Sequence, residues 1–125
     1  MFQPEKLDLS KTTTCSAKGR RNLVHIGNLR TPGAQDDALF DSPEFRLLTQ
    51  RWKEARASGK PVVCFFGAHV IKCGLSRYLI RLMERGWITH LASNGAGSIH
   101  DFELASLGGT SEHVPTAIED GTFGM

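Results

Sequence analysis

The stretch Pro61–Leu104, PVVCFFGAHVIKCGLSRYLIRLMERGWITHLASNGAGSIHDFEL, decides the fold. Pro61–Phe66 is continuously apolar and rich in β-formers, which suits a strand covered on both faces in a parallel sheet. Leu75–Arg85 carries Leu75, Leu79, Leu82 and Met83 at helical spacing, and Gly86 stops it. Trp87–Ala92 reads as a second strand, and Ile99–Leu107 as a further helix ended by Gly108 and Gly109. A single helix joins the two strands, so a parallel, right-handed crossover is expected. The glycine-rich loops that follow the strands then emerge at one carboxyl edge, where sheets of this kind bind ligands.

Upstream, Ser42-Pro43-Glu44 is a helix start: Ser caps, Pro takes the first helical position, and Glu favours the positive end of the dipole. Phe45, Leu48, Trp52 and Ala55 follow on one face, read as core packing, and Ser58-Gly59 ends the helix. Met1–Thr14 reads as a loosely attached arm, Asn22–Ile26 as a short strand or extended segment, and Thr31–Asp37 as a loop by its turn chemistry. Downstream, Thr110 reads as the cap of a last short helix through Ile118 or Glu119, with Pro115 awkwardly inside it.

The bulk properties are those of an ordinary soluble globular protein. A chain of 125 residues is one domain at most, with 40% hydrophobic and 22% charged residues. A net charge of +2 gives no footprint for nucleic acid, and the Lys18-Gly19-Arg20-Arg21 cluster reads as solvated surface. Three cysteines, Cys15, Cys64 and Cys73, without C-x-x-C spacing suit a reducing compartment, with Cys64 acting as a small hydrophobe. No apolar leader and no membrane-length apolar run stand in the chain, so a cytoplasmic protein without membrane partners is expected. Two strong strands do not make a sheet covered on both faces. The expectation is an incomplete α/β domain, cut short at Gly121–Met125, or a homo-oligomer that completes its sheet with another copy.

The second loop, Asn94–Ser98, offers G-x-G at the start of a helix, where free N–H groups and the dipole favour a phosphate or carboxylate. The third glycine of the dinucleotide fingerprint is missing, and tight turn geometry alone also explains the glycines. Asp101, read in the first helical turn, is either a dipole-stabilised carboxylate or an anchor for a ribose or an amine. His100 is either an acid–base group or a structural hydrogen-bonding residue. In the first loop, His69 and Cys73 stand four apart, a spacing that brings two zinc ligands together if the segment is helical. Lys72 either meets an anionic ligand or faces solvent.

The run FGAHVIKCGLSRYLIRLMERGWITHLASNGAGSIHDFELASLG resembles the nucleotide-binding half of deoxyhypusine synthase. That family shows a glycine-led polar loop, a helix, a strand of the form V-D-V-L-V, and then T-T-A-G-G-V-E-E-D-L. The register runs without gaps from about Val62 to Leu107, over a third of the chain. The same pattern is similar to the C-terminal NAD-binding part of arginine dihydrolase/ornithine cyclodeaminase-type enzymes, where a strand leads into N-A-L-A-V-H-D. Ile99-His100-Asp101 fits that second group better.

The resemblance implies a Rossmann-like α/β fold with a parallel sheet and crossover helices, and NAD as cofactor. It divides the chain into an N-terminal arm and loop (1–40) and a partial nucleotide-binding domain (41–125). By position it places Ala68, His69 and Val70 in the first cofactor-contacting stretch, and Asn94, Gly95, Ala96 and Gly97 in the second. His100 and Asp101 stand where the synthase has two acidic residues. The synthase's catalytic lysine belongs to its C-terminal half, and Lys72 does not correspond to it. Three functions follow as expectations: an NAD-binding fragment of a deoxyhypusine synthase-like protein, a metal-assisted hydrolase built on His69, Cys73 and His100, or a non-catalytic subunit fragment.

Overall fold

The computed structural model describes residues 6, 8, 10, 12–33 and 40–124. It is a mixed α/β structure with two small sheets. Strand β1 (Asn22–His25) precedes α1 (Pro43–Ala57), β2 (Val63–Phe66), α2 (Ala68–Lys72), α3 (Ser76–Glu84), β3 (His90–Ser93), α4 (Gly95–Leu107), β4 (Gly109–Glu112) and α5 (Val114–Glu119). Strands β2 and β3 pair in parallel, with Val63 beside His90 and Phe66 beside Ser93. Strands β1 and β4 pair antiparallel, with Asn22 opposite Glu112 and Val24 opposite Thr110.

The parallel pair is as the apolar runs require, but it stays a pair. Among the described residues no third strand joins it: the parallel sheet is two-stranded, and a separate antiparallel ribbon accompanies it. β1 lies in the segment expected to be arm and loop, and it is half of that ribbon. Of the expected arm, residues 1–5, 7, 9 and 11 lie outside the described residues, as do 34–39 of the loop region and the final residue, 125.

Helix α1 starts as its sequence dictates. Ser42 accepts a hydrogen bond from the Phe45 amide at 3.1 Å, and Pro43 opens the first turn. Its apolar face is not core, however: no residue of α1 is buried, and Phe45 and Leu48 lie exposed. In its first half Phe45 meets the Phe40 ring edge-on, 5.5 Å between centroids, and Arg46 pairs with Asp41, while its second half reaches Trp87. Trp52 Nε1 donates to the Trp87 carbonyl, and the Arg56 guanidinium stacks 4.0 Å from the Trp87 ring centroid.

The crossover is two helices rather than one. Gly67 caps α2, and Gly74 breaks the chain before α3 in the left-handed conformation, φ +77°. A Cβ on Gly74 would stand 3.1 Å from the Asn28 carbonyl oxygen, and the Arg30 amide bonds the Gly74 carbonyl at 2.9 Å. The N-terminal segment crosses there, and only glycine fits.

Gly109–Glu112 is strand, not the start of a helix. The last helix begins instead at His113, whose ring accepts from the Thr116 amide, and Pro115 falls in the first turn, where its missing N–H is not needed. Among the described residues the buried apolar ones are few: Ile71 on α2, Ile88 before β3, Leu104 on α4 and Ala117 on α5. Among the described residues no helix is long and apolar enough to cross a membrane.

Candidate anion-binding edge

Parallel pairing puts the ends of β2 and β3, and the starts of α2 and α4, at one edge. The two junctions touch. Gly97 sits where a Cβ would lie 2.1 Å from Ser93 Oγ and 3.9 Å from the Ala68 amide nitrogen. Ser93 Oγ in turn donates to the Phe66 carbonyl at 2.9 Å. The seam between the two strand–helix junctions is therefore closed by a serine filling the space that glycine leaves.

Gly95–Ser98, expected as loop, is the first turn of α4, and Asn94 is its cap. Asn94 caps α4 by accepting from the Gly97 amide at 3.1 Å, and the Ser98 amide bonds the Asn94 carbonyl at 3.3 Å. Among the described residues the orphan donors at this end are thus the Gly95 and Ala96 amides. At α2, Val70 N–H reaches the Gly67 carbonyl at 3.2 Å, which leaves Ala68 and His69 as the orphans. Four amides, two from each helix, end at one edge without a partner among the described residues. Around Gly95 nothing lies within 4 Å of where a Cβ would be, so that approach is open. His69 is exposed at this edge.

His100 and Asp101 lie in the second turn of α4, not the first. Asp101 is exposed. His100 turns away from the edge, into a polar network. Thr110, fully buried, has one hydroxyl proton and donates it to Glu103 Oε2. The His100 Nδ1 lies 2.7 Å from Thr110 Oγ1, so Nδ1 carries the proton and donates. Arg20 closes the other side of Glu103 at 2.7 Å and also donates from Nε to Asn22 Oδ1 at 3.0 Å. With side chains only 11% and 16% exposed, Arg20 and Glu103 form a sheltered pair, so Arg20 is not the solvated cation its basic neighbours suggest. Burial raises the Glu103 pKa, but the hydrogen bonds from Arg20 and Thr110 and the charges of Arg20 and His100 outweigh it and hold the carboxyl below its ordinary value.

The network ties β1 and β4 to α4, and the sequence reading missed Arg20, Glu103 and Thr110. The one legible signal is that Glu103 stands three residues after His100, on the same helix face. His69 and Cys73 share α2 and its C-cap, while His100 belongs to the Thr110 network. Among the described residues no three His, Cys, Asp or Glu side chains are grouped to hold a metal ion, so the arrangement offers no hydrolytic metal site. Lys72 is half-buried at the end of α2.

A cavity of about 320 Å³ lies elsewhere, between the 15–21 segment and α5, with Arg20, Arg21, Glu112, His113, Thr116 and Asp120 in its wall. A smaller one, about 150 Å³, lies between α1 and Trp87. Neither includes the residues at the paired helix starts. Compared with family models, curated proteins and solved structures, the chain matches none.

Proposed function

We propose that the chain binds the phosphate groups of a dinucleotide at the edge where α2 and α4 begin, with NAD the cofactor implied by the resemblance to deoxyhypusine synthase. The observation that carries this reading is the side-by-side placement of two helix starts, with the Ala68, His69, Gly95 and Ala96 amides unpartnered. The 13-residue α4 contributes partial positive charge as well as donors, the short α2 adds two further amides, and an anion between them answers both.

The donor set fits a pyrophosphate: backbone amides, an open approach at Gly95, and no acidic side chain capping either helix. When bound, NAD would supply hydride-transfer chemistry. The residues of this chain at the edge position and neutralise phosphate, and none is placed as an acid or base. Asp101 stands about 9 Å along α4 from Gly95, at 1.5 Å per residue. It is therefore an outer contact in this reading, not a first anchor.

The test is an NMR titration of the whole chain with NAD and, separately, with inorganic pyrophosphate. The amides of Ala68, His69, Gly95 and Ala96 are expected to shift together in both. Shifts confined to the walls of the 320 Å³ cavity, or no saturable shift at millimolar ligand, would overturn the reading.

A further inference from the structure

The cavity of about 320 Å³ lies between the 15–21 segment and α5, away from the paired helix starts. On α5 its wall is His113, Thr116, Ala117 and Asp120, at i, i+3, i+4 and i+7, which is one face of the helix. His113 and Asp120 cap the two ends of α5, so the cavity runs about 10 Å along it. The facing wall is registered at one end. The His113 amide donates to the Arg21 carbonyl at 2.9 Å, which sets Arg20 and Arg21 at the His113 end. The volume holds about ten water-sized groups, at about 30 Å³ each, and falls at the lower end of small-molecule sites.

The two ends of the cavity differ in chemistry. At the His113 end stand donors that the fold leaves unused. Arg20 spends Nε on Asn22 and Nη1 on Glu103, while its buried Nη2 has no partner among the described residues. An orphaned buried donor costs free energy until an acceptor meets it. The Thr116 amide, which can only donate, bonds His113 Nδ1 at 3.4 Å, so the neutral ring carries its proton on Nε2. No acceptor among the described residues meets that Nε2–H. At the far end Asp120 is exposed, and its carboxylate has no partner among the described residues. Glu112, also in the wall, already accepts from the Gly124 amide at 3.2 Å.

We propose that this cavity binds a small zwitterion, an unbranched amino carboxylate, with its carboxylate at the Arg20–His113 end and its ammonium at Asp120. Arg20 and Arg21 balance Glu112 and Asp120 in the wall, so a ligand carrying both charges is matched and an ion of one sign is not. A polyanion such as pyrophosphate meets two carboxylates here, which separates this site from the edge where α2 and α4 begin. The length of the cavity sets the two charges several bonds apart, so a methylene chain must join them. Ala17 and Ala117, on facing walls, give that chain apolar contact.

The experiment is an NMR titration of the whole chain with 6-aminohexanoate and, separately, with hexanoate and hexylamine, for the wild type and Asp120→Asn. Asp120 is exposed, so the variant should keep the wild-type circular dichroism, and the three ligands on the wild type decide the matter independently of it. The expected result is saturable binding of 6-aminohexanoate at millimolar concentration, with the amides of Ala17, Thr116 and Ala117 shifting and those of Ala68 and Gly95 still. Hexanoate should bind about fivefold more weakly, as for the loss of an exposed ion pair. Hexylamine should bind weakest, because it leaves the orphaned donors unmet. Asp120→Asn should bring 6-aminohexanoate down to the level of hexanoate and leave hexanoate unchanged. The absence of a saturable shift at the cavity, equal affinity for the three ligands, or a folded Asp120→Asn that binds 6-aminohexanoate as the wild type does would each overturn the proposal.

Discussion

Ser93 occupies the space that Gly97 leaves open. A Cβ on Gly97 would lie 2.1 Å from Ser93 Oγ and 3.3 Å from Ser93 Cβ. This contact fixes how closely α4 approaches the end of β3, and it gives the second glycine of the G-x-G pattern a packing role. Gly97→Ala should destabilise the fold by roughly 2 kcal/mol, the cost of overfilling a packed site. Ser93→Ala removes the nearer atom and leaves the contact at 3.3 Å. The double variant should therefore recover part of the loss, and a double-mutant cycle by urea unfolding measures the coupling. Strict additivity of the two substitutions would refute the contact.

The sheltered Glu103 makes stability pH-dependent. Burial raises its pKa, but Arg20, Thr110 and His100 together depress it below 4.5 in the folded chain. The unfolded chain then binds more protons on acidification, so the stabilisation is complete above the ordinary glutamate range and lost as pH falls through the depressed folded value. Glu103→Gln should flatten this acid limb. At neutral pH it should also cost about 2 kcal/mol, because Arg20 loses a charged acceptor in a sheltered place. Thermal unfolding followed from pH 7 to about pH 3 checks both, and an unchanged acid limb would show that Glu103 is not responsible.

The reading from sequence reached the parallel pair, the cap of α1 and the shared edge of the two junctions, because each rests on local signals: β-rich apolar runs, Ser-Pro-Glu, and glycine after a strand. It failed where long-range packing decides. Gly109–Glu112 is polar and short, and it becomes a strand only because Asn22–His25, some 85 residues earlier, supplies the ladder. The helical spacing of Phe45 and Leu48 was legible, but spacing names a face and not what covers it. At the candidate site the glycines were readable. The role of His100 was not, since its partner Thr110 lies on a strand that no local pattern announces.

That partner turns His100 into a test of role. The ring holds Thr110, which holds Glu103, so its Nδ1 is committed to this network. His100→Ala should lower stability by roughly 1–2 kcal/mol, as expected for a lost hydrogen bond to a buried hydroxyl. Its affinity for pyrophosphate, measured by calorimetry under conditions where the variant is folded, should equal that of the wild type. A marked loss of affinity would place His100 at the ligand.

Gly95 and Asp101 separate a phosphate cradle from a mere turn. Gly95 is the first residue of α4, its amide is an orphan donor, and its Cβ direction is empty. Gly95→Val therefore adds bulk where a phosphate would approach, with no atom within 4 Å of its Cβ, unlike the same change at Gly97, whose Cβ strikes Ser93. Gly95→Val should keep the wild-type melting temperature within a few degrees and lower affinity for NAD and for pyrophosphate by about tenfold or more. Asp101→Asn, in the second turn and exposed, should change NAD affinity by less than about 1 kcal/mol and leave pyrophosphate affinity alone. Asn94→Ala adds the converse arm: it should cost about 1 kcal/mol of stability by uncapping α4. It also frees the Gly97 amide, so pyrophosphate binding should persist while the fold weakens. Calorimetry and thermal unfolding on the three variants give each a distinct signature, and NAD binding that survives Gly95→Val undiminished would reduce the glycines to turn geometry.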